Sequence, residues 1–199
     1  MKTTNIFKAL LFVSILSLGA CSSSKDKAMK EDMNMSKDMT VMVGGAAMYP
    51  TKNIVENAVN SKEHTTLVAA VKAADLVTTL QGDGPFTVFA PTNAAFDKLP
   101  AGTVASLLEP ENKMKLQSVL TYHVVAGKHS SMDIMKAIKN GNGKAMFTTV
   151  NGGILTAMVK GSNVEITDAN GGTSMVTIAD VNQSNGVIHV VNTVMLPKA

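Results

Sequence analysis

The stretch GPFTVFAPTNAAFDKLP, from Gly84 to Pro100, carries the strongest structural pattern in the chain. Its first part combines aromatic and β-branched residues and predicts a strand over residues 86–90. Successive side chains of a strand point to opposite faces, so Phe86 is expected on one face and Phe89 on the other. The strand should therefore be covered by apolar side chains on both faces.

A turn and a short helix are predicted directly after this strand. Thr92 or Asn93 can cap a helix over residues 94–98, and Pro100 ends it. This helix would place Phe96 back towards the strand. A buried aromatic cluster beside a capped helix is typical of a packed core, and a binding pocket formed by the same phenylalanines is the alternative.

The segments on either side of this stretch predict more helix than strand. Residues 53–81 have a helical pattern, and helices are also expected over 103–108 and 112–120. Residues 121–125 predict a strand. Apolar residues at helical spacing in the first helical region would form one buried face: Leu67, Val68, Val71 and Ala74.

The second half of the chain has the pattern of antiparallel strands. Ser131 can cap a helix over residues 132–138, with Asp133 in its first turn. Glycine-containing turns then separate five apolar, β-branched segments, which is typical of hairpins. These segments are 145–150, 154–159, 164–167, 175–178 and 187–195. We therefore predict an α+β fold with helices early and antiparallel strands late.

The N-terminus has the pattern of an export signal. Lys2 and Lys8 precede an apolar run that is too short to span a bilayer, and the run ends in Leu-Gly-Ala before Cys21. This pattern resembles the lipobox of bacterial lipoproteins, which implies removal of residues 1–20 and lipidation of Cys21. The alternatives are an ordinary signal with a chance cysteine, or an inserted helix. Cys21 is the only cysteine, so the folded part would have no disulfide.

Residues 21–48 predict a lipidated cysteine followed by a polar tether, and residues 49–199 predict the folded domain. A tether of 27 residues would reach about 25–30 Å if it behaves as a flexible coil. It contains six methionines, and thioethers are soft ligands that select Cu(I). These are Met29, Met33, Met35, Met39, Met42 and Met48. A copper site centred on Met33, Met35 and Met39 is one interpretation, and a linker that merely tolerates methionine is the other.

The charge pattern argues against nucleic-acid binding. All 18 basic residues are lysine, and removal of residues 1–20 leaves 16 lysines against 15 acidic residues. A nearly neutral chain without arginine or tryptophan lacks the usual groups for clamping phosphates and stacking bases.

Three motifs together resemble the fasciclin domain family. GPFTVFAPTNAAFDKLP resembles its first signature, LTYHVVAGK over Leu120–Lys128 its Tyr-His element, and NGVIHVVNTVMLP over Asn185–Pro197 its second signature. The resemblance begins at Tyr49 or Asn53 and ends at Pro197. Asn192 stands where many members carry aspartate, so any role of that carboxylate is absent here.

The resemblance implies a single wedge-shaped antiparallel β-sandwich of about seven strands, flanked by helices. It also implies a non-enzymatic extracellular module linked to adhesion, and some members bind small hydrophobic ligands. Tyr122 and His123 correspond to the element connected with receptor contact, and they become the interaction candidates. The alternative is that both are buried core residues, since a polar group among apolar neighbours is usually hydrogen-bonded.

The remaining polar patterns predict structure more readily than chemistry. His189 lies in an apolar strand and is expected to be a hydrogen-bonded core residue; a metal pair with His123 lacks a carboxylate. The run from His129 to Asp133 contains the residue types of a catalytic triad, but adjacency in sequence is not the geometry of one. We expect no catalytic residue and no cofactor.

The sequence thus predicts a lipid-anchored, non-enzymatic interaction module of the bacterial cell envelope. Ser22 after the cysteine resembles the pattern of lipoproteins sent to an outer membrane. The expected partners are the membrane, through the lipid, and a protein or polysaccharide. The alternative is a carrier or sensor of a small ligand, held either in the domain or as Cu(I) on the tether.

Overall fold

A computed structural model describes residues 39–198 of the chain. The first 38 residues lie outside that range, so the predicted signal, Cys21, Met29, Met33 and Met35 are not described. None of the described helices is long and apolar enough to cross a membrane.

The described chain begins with a β-hairpin and three short helices. The hairpin joins β1 (Val41–Val43) to β2 (Ala46–Met48). The helices are α1 (Ile54–Ala58), α2 (Thr65–Ala73) and α3 (Val77–Gln81).

Strand β3 is followed by further helices and a short strand. These elements are β3 (Phe86–Pro91), α4 (Asn93–Phe96), α5 (Thr103–Leu107), a 3-10 turn (Pro110–Asn112), α6 (Lys113–Tyr122) and β4 (Val124–Ala126).

One helix and five strands complete the domain. They are α7 (Ser131–Asn140), β5 (Ala145–Thr148), β6 (Ile154–Lys160), β7 (Asn163–Thr167), β8 (Thr173–Gln183) and β9 (Gly186–Val191).

Seven strands form the main sheet in the order β4-β3-β9-β8-β7-β6-β5. Every neighbouring pair is antiparallel except β3 and β9, which run parallel with Phe89 opposite His189. An antiparallel bridge joins Val125 to Thr149, so β4 at one edge meets the chain just after β5 at the other. The predicted α+β fold with antiparallel strands and flanking helices is confirmed, except that β3 and β9 pair in parallel.

Strand β3 divides two hydrophobic clusters, as its alternation predicts. Val88, Ala90 and Phe96 belong to the cluster that also includes residues of the first helices. Phe89 belongs to the other cluster, with Ile134 of α7. The opening stretch therefore connects the two halves of the core.

Several predicted boundaries were wrong. The predicted tether ran to residue 48, but residues 41–48 form the hairpin, because Val43 and Met48 bury their side chains in the core. The predicted helical region 53–81 is three helices.

The boundaries of two predicted strands also differ. Residues 121 and 122 end α6 instead of opening a strand, because helical spacing continues to Tyr122 and places it against the second cluster. Strand β9 ends at Val191 rather than at residue 195.

Candidate functional site

Tyr122 is the last residue of α6, and its side chain is completely buried. Its hydroxyl donates to the carbonyl of Ile154 at 2.7 Å and accepts from the N–H of Ala169 at 2.9 Å. Burial raises the pKa of the phenol. One side chain thereby joins α6 to the start of β6 and to the loop after β7.

His123 follows as the C-cap of the same helix, and it is also buried. Its Nδ1 lies 2.8 Å from the carbonyl of Val119, and its Nε2 accepts from the N–H of Met195 at 3.0 Å. Because Nε2 accepts, the proton of the neutral ring belongs on Nδ1, which donates to Val119. Burial lowers the pKa of this imidazole to about 4.

The Tyr-His pair is thus placed inside the domain. A partner could not touch either side chain unless the end of α6 opened. A role of Tyr122 and His123 in recognition stays a prediction. In the folded domain, the two side chains could affect a partner only through the main-chain segments that they hold in place.

His189 has a similar environment on β9. Its Nδ1 accepts from the N–H of Asp180 at 3.3 Å, and its Nε2 donates to the carbonyl of His129 at 2.9 Å. Its ring centroid lies 5.7 Å from that of Phe89. Burial lowers its pKa. Both ring nitrogens are therefore engaged by main-chain groups.

The residues of the triad-like run serve to begin α7. Ser130, rather than the expected Ser131, is the N-cap, and it forms a capping box with Asp133. These hydrogen bonds lower the pKa of the Asp133 carboxyl. The N–H and hydroxyl of Ser131 both donate to the carboxylate of Asp180. Neither serine has a hydrogen bond to a histidine side chain, so the arrangement is not that of a nucleophile and its base.

The sequence left open whether Thr92 or Asn93 caps α4, and in the structure the two residues have different roles. Thr92 caps α4 by accepting from the N–H of Ala95 at 3.3 Å. The amide of Asn93 instead accepts from the N–H of Thr66 at 3.0 Å and donates to the carbonyl of Lys62 at 2.9 Å. Asn93 therefore holds the start of α2, which sequence reasoning missed because the contact spans 27 residues.

Asn192 serves as a hydrogen-bond acceptor without a charge. Its side-chain oxygen accepts from the N–H of Met175 at 2.9 Å, and its carbonyl accepts from the ammonium of Lys98 at 2.5 Å. The side-chain amide therefore holds the end of β9 to β8, a contact for which a charged carboxylate is not required.

An apolar cavity of about 80 Å³ opens among α1, α2, α3, α6 and the strands β3 and β4. Only four of its lining residues are polar: Lys72, Thr79, Thr121 and His123. Phe86 and Phe89 also line it, so the opening motif contributes to both the core and a cavity. Its walls come from six separate elements, and no local sequence pattern predicts it.

A metal centre finds little support within residues 39–198. They contain no cluster of three or more His, Cys, Asp or Glu side chains suited to an ion. Of the three copper candidates only Met39 is described, and it is exposed. The expectation of a Cu(I) site on Met33 and Met35 concerns residues outside the description.

Comparison with known proteins identifies the same domain family in a family model and in curated relatives. A family model for the fasciclin domain matches residues 62–197. Protein sll1483 of Synechocystis sp. is 48% identical over 160 residues, covering 80% of this chain and 82% of that protein. Cell surface glycolipoprotein MPB83 of Mycobacterium bovis is 34% identical over 162 residues, covering 79% of this chain and 64% of that protein.

A solved structure is also similar to part of the chain. It is a FAS1 domain pair from the insect cell adhesion molecule fasciclin I, with 26% identity and a TM-score of 0.45. The match covers 64% of this chain and 40% of that one.

Proposed function

The chain belongs to the fasciclin domain family, and from this premise we propose that it is a membrane-anchored, non-enzymatic interaction module of the bacterial cell envelope. The observation that carries the proposal is the family match across residues 62–197. Proteins of this family are adhesion and surface proteins rather than enzymes. The partner would be a protein or a polysaccharide.

The lipid anchor is supported by the signal pattern before Cys21 and by one relative. That relative is named as a cell surface glycolipoprotein. The several acyl chains of a mature bacterial lipoprotein would hold the domain stably, whereas a single chain gives only marginal anchoring. The residue after the cysteine, Ser22, favours the outer membrane as the location.

The buried polar groups favour an interaction module over an enzyme. His123 and His189 have both ring nitrogens engaged by the main chain. Ser131 is hydrogen-bonded to the carboxylate of Asp180 and not to a histidine. These side chains stabilise the fold, so contact with a partner would fall to exposed side chains.

Native mass spectrometry of the full-length protein, extracted from its own membrane in mild detergent, tests the proposal. The expected result is a mass that matches lipidated Cys21, with a protein or glycan bound. An unmodified chain that fractionates with soluble proteins would contradict the anchor. As a matched test, Cys21→Ala should release the protein from membranes.

A second candidate function is favoured by the apolar cavity. A carrier or sensor would hold the end of a small hydrophobic molecule among Val71, Leu80 and Phe86. The same mass spectrum distinguishes the two, because a lipidated monomer that retains an apolar molecule supports the carrier. The copper version is tested separately: removal of residues 29–48 would abolish Cu(I) binding, but it also removes the hairpin. The triple variant Met33→Leu, Met35→Leu and Met39→Leu is therefore the cleaner test.

A further inference from the structure

The N-terminal hairpin has one buried and one exposed face. On the inner face, Val43 and Met48 are each only 2% exposed. Met42 lies opposite Ala47 on the outer face, and Tyr49 follows directly after the last residue of β2. Met42 is 60% exposed and Tyr49 is 38% exposed. We call Met42, Ala47 and Tyr49 the hairpin face.

The chemistry of the hairpin face suits the boundary between lipid and water. Methionine is apolar and adapts its shape, and tyrosine has an apolar ring with a polar tip. The ammonium of Lys52 lies 5.0 Å from the centroid of the Tyr49 ring. A lysine can lay its alkyl chain along apolar surface while its charge stays in water near lipid phosphates.

The hairpin follows the proposed anchor closely in the sequence. Nineteen residues separate Cys21 from Val41, and a random coil of that length spans about 24 Å on average. A domain of some 160 residues is about 40 Å across. The side of the domain that bears the hairpin is thus easily brought to the bilayer, whereas the opposite side requires a nearly extended chain.

We propose that the hairpin face rests on the phospholipid surface and orients the anchored domain. This inference depends on the proposed lipid anchor. A face of three residues would bind lipid weakly by itself. The anchor makes the second contact intramolecular, so a weak affinity is sufficient to favour one orientation.

Fluorescence quenching in vesicles tests the inference on the lipidated full-length protein. Cys21 is the only cysteine, and its thiol is blocked when it carries lipid, so Met42→Cys introduces a unique labelling site. Met114→Cys on α6 is the matched control, because Met114 is 83% exposed. Each variant is labelled with nitrobenzoxadiazole and placed in phosphatidylethanolamine–phosphatidylglycerol vesicles that contain doxyl-labelled lipid.

The expected result is quenching of the probe at position 42 by more than half, with the probe at position 114 unchanged. Adding Tyr49→Glu to the Met42→Cys variant should restore most of the fluorescence. Equal quenching at both positions, or none at either while the protein stays with the vesicles, would overturn the inference and leave the anchor intact. Loss of the protein from the vesicles would overturn both.

Discussion

The Nε2 atom of His123 accepts a hydrogen bond from the main-chain N–H of Met195 at 3.0 Å, across 72 residues of sequence. The same ring donates from Nδ1 to the carbonyl of Val119. A protonated ring has no free lone pair and cannot accept from Met195. The neutral form of His123 therefore ties the C-terminal segment to α6.

This relationship predicts that acid destabilises the domain. The folded pKa of His123 is about 4, below the ordinary value of 6.5. The stabilising contribution is therefore complete above pH 6.5 and is lost as the pH falls from 6.5 to 4. The loss corresponds to about 3 kcal/mol of unfolding free energy. Urea unfolding at a series of pH values measures it.

A variant separates the contribution of His123 from that of His64 and His189, whose pKa values are also lowered by burial. His123→Gln should be less stable at pH 7 but should lose less stability between pH 6.5 and 4 than the natural chain. Gln117→Asn on the same helix is the control, because glutamine does not titrate and its replacement should leave the slope unchanged. An unaltered slope in His123→Gln would contradict this account.

The local patterns in the sequence predicted much of the fold. The alternation from Phe86 to Ala90 correctly predicted a strand with apolar contacts on both faces, because the two-residue period that assigns side chains to faces is a local property of a strand. Helical spacing correctly placed Leu67, Val71 and Ala74 in the core, whereas Val68 is only partly buried and lines the cavity. Glycine-containing turns marked the late hairpins.

Features set by distant contacts could not be read from the sequence. Residues 41–48 contain no polar side chain, and their two apolar segments around Gly44 and Gly45 have a hairpin pattern, but the polar residues before them led to their assignment to the tether. The sequence does not show the core, supplied by later residues, in which Val43 and Met48 are buried. The clamp from Asn93 to Thr66 and the parallel pairing of β3 with β9 depend equally on the assembled fold. The apolar cavity likewise forms only when residues from several distant elements pack together.

Removal of one hydroxyl group should destabilise the domain measurably. Tyr122→Phe leaves the carbonyl of Ile154 and the N–H of Ala169 without their partner. The expected loss of unfolding free energy is about 1–3 kcal/mol, because buried polar groups would remain unpaired. Tyr49→Phe is the control at the chain's other tyrosine, which is partly exposed, and should change stability by less than about 0.5 kcal/mol. Equal effects at the two positions would show that water replaces the hydroxyl of Tyr122.

The two neighbouring residues Thr92 and Asn93 should differ in their effect on stability. Thr92→Ala removes one cap and should cost about 1 kcal/mol. Asn93→Ala removes bonds to both Thr66 and Lys62, so its cost should be about 2 kcal/mol. Urea unfolding compares the variants directly. A larger loss for Thr92→Ala would mean that the cap of α4, and not the clamp on α2, dominates here.

Filling the apolar cavity should stabilise the domain and close it to ligands. Ala58 lines the cavity from α1, and Ala58→Leu adds three carbon atoms towards it. Burying them should raise the unfolding free energy by about 1 kcal/mol, provided that the leucine fits without strain.

Xenon binding measures whether the cavity has been filled. Xenon should shift the methyl NMR signals of Val71 and Leu80 in the natural chain, and these shifts should vanish in the variant. Ala105→Leu, on the exposed surface of α5, is the matched control and should leave the xenon shifts intact. A destabilised Ala58→Leu variant that keeps its xenon shifts would show that the side chain points away from the cavity, and would leave the carrier function to be tested by another wall residue such as Val68→Phe.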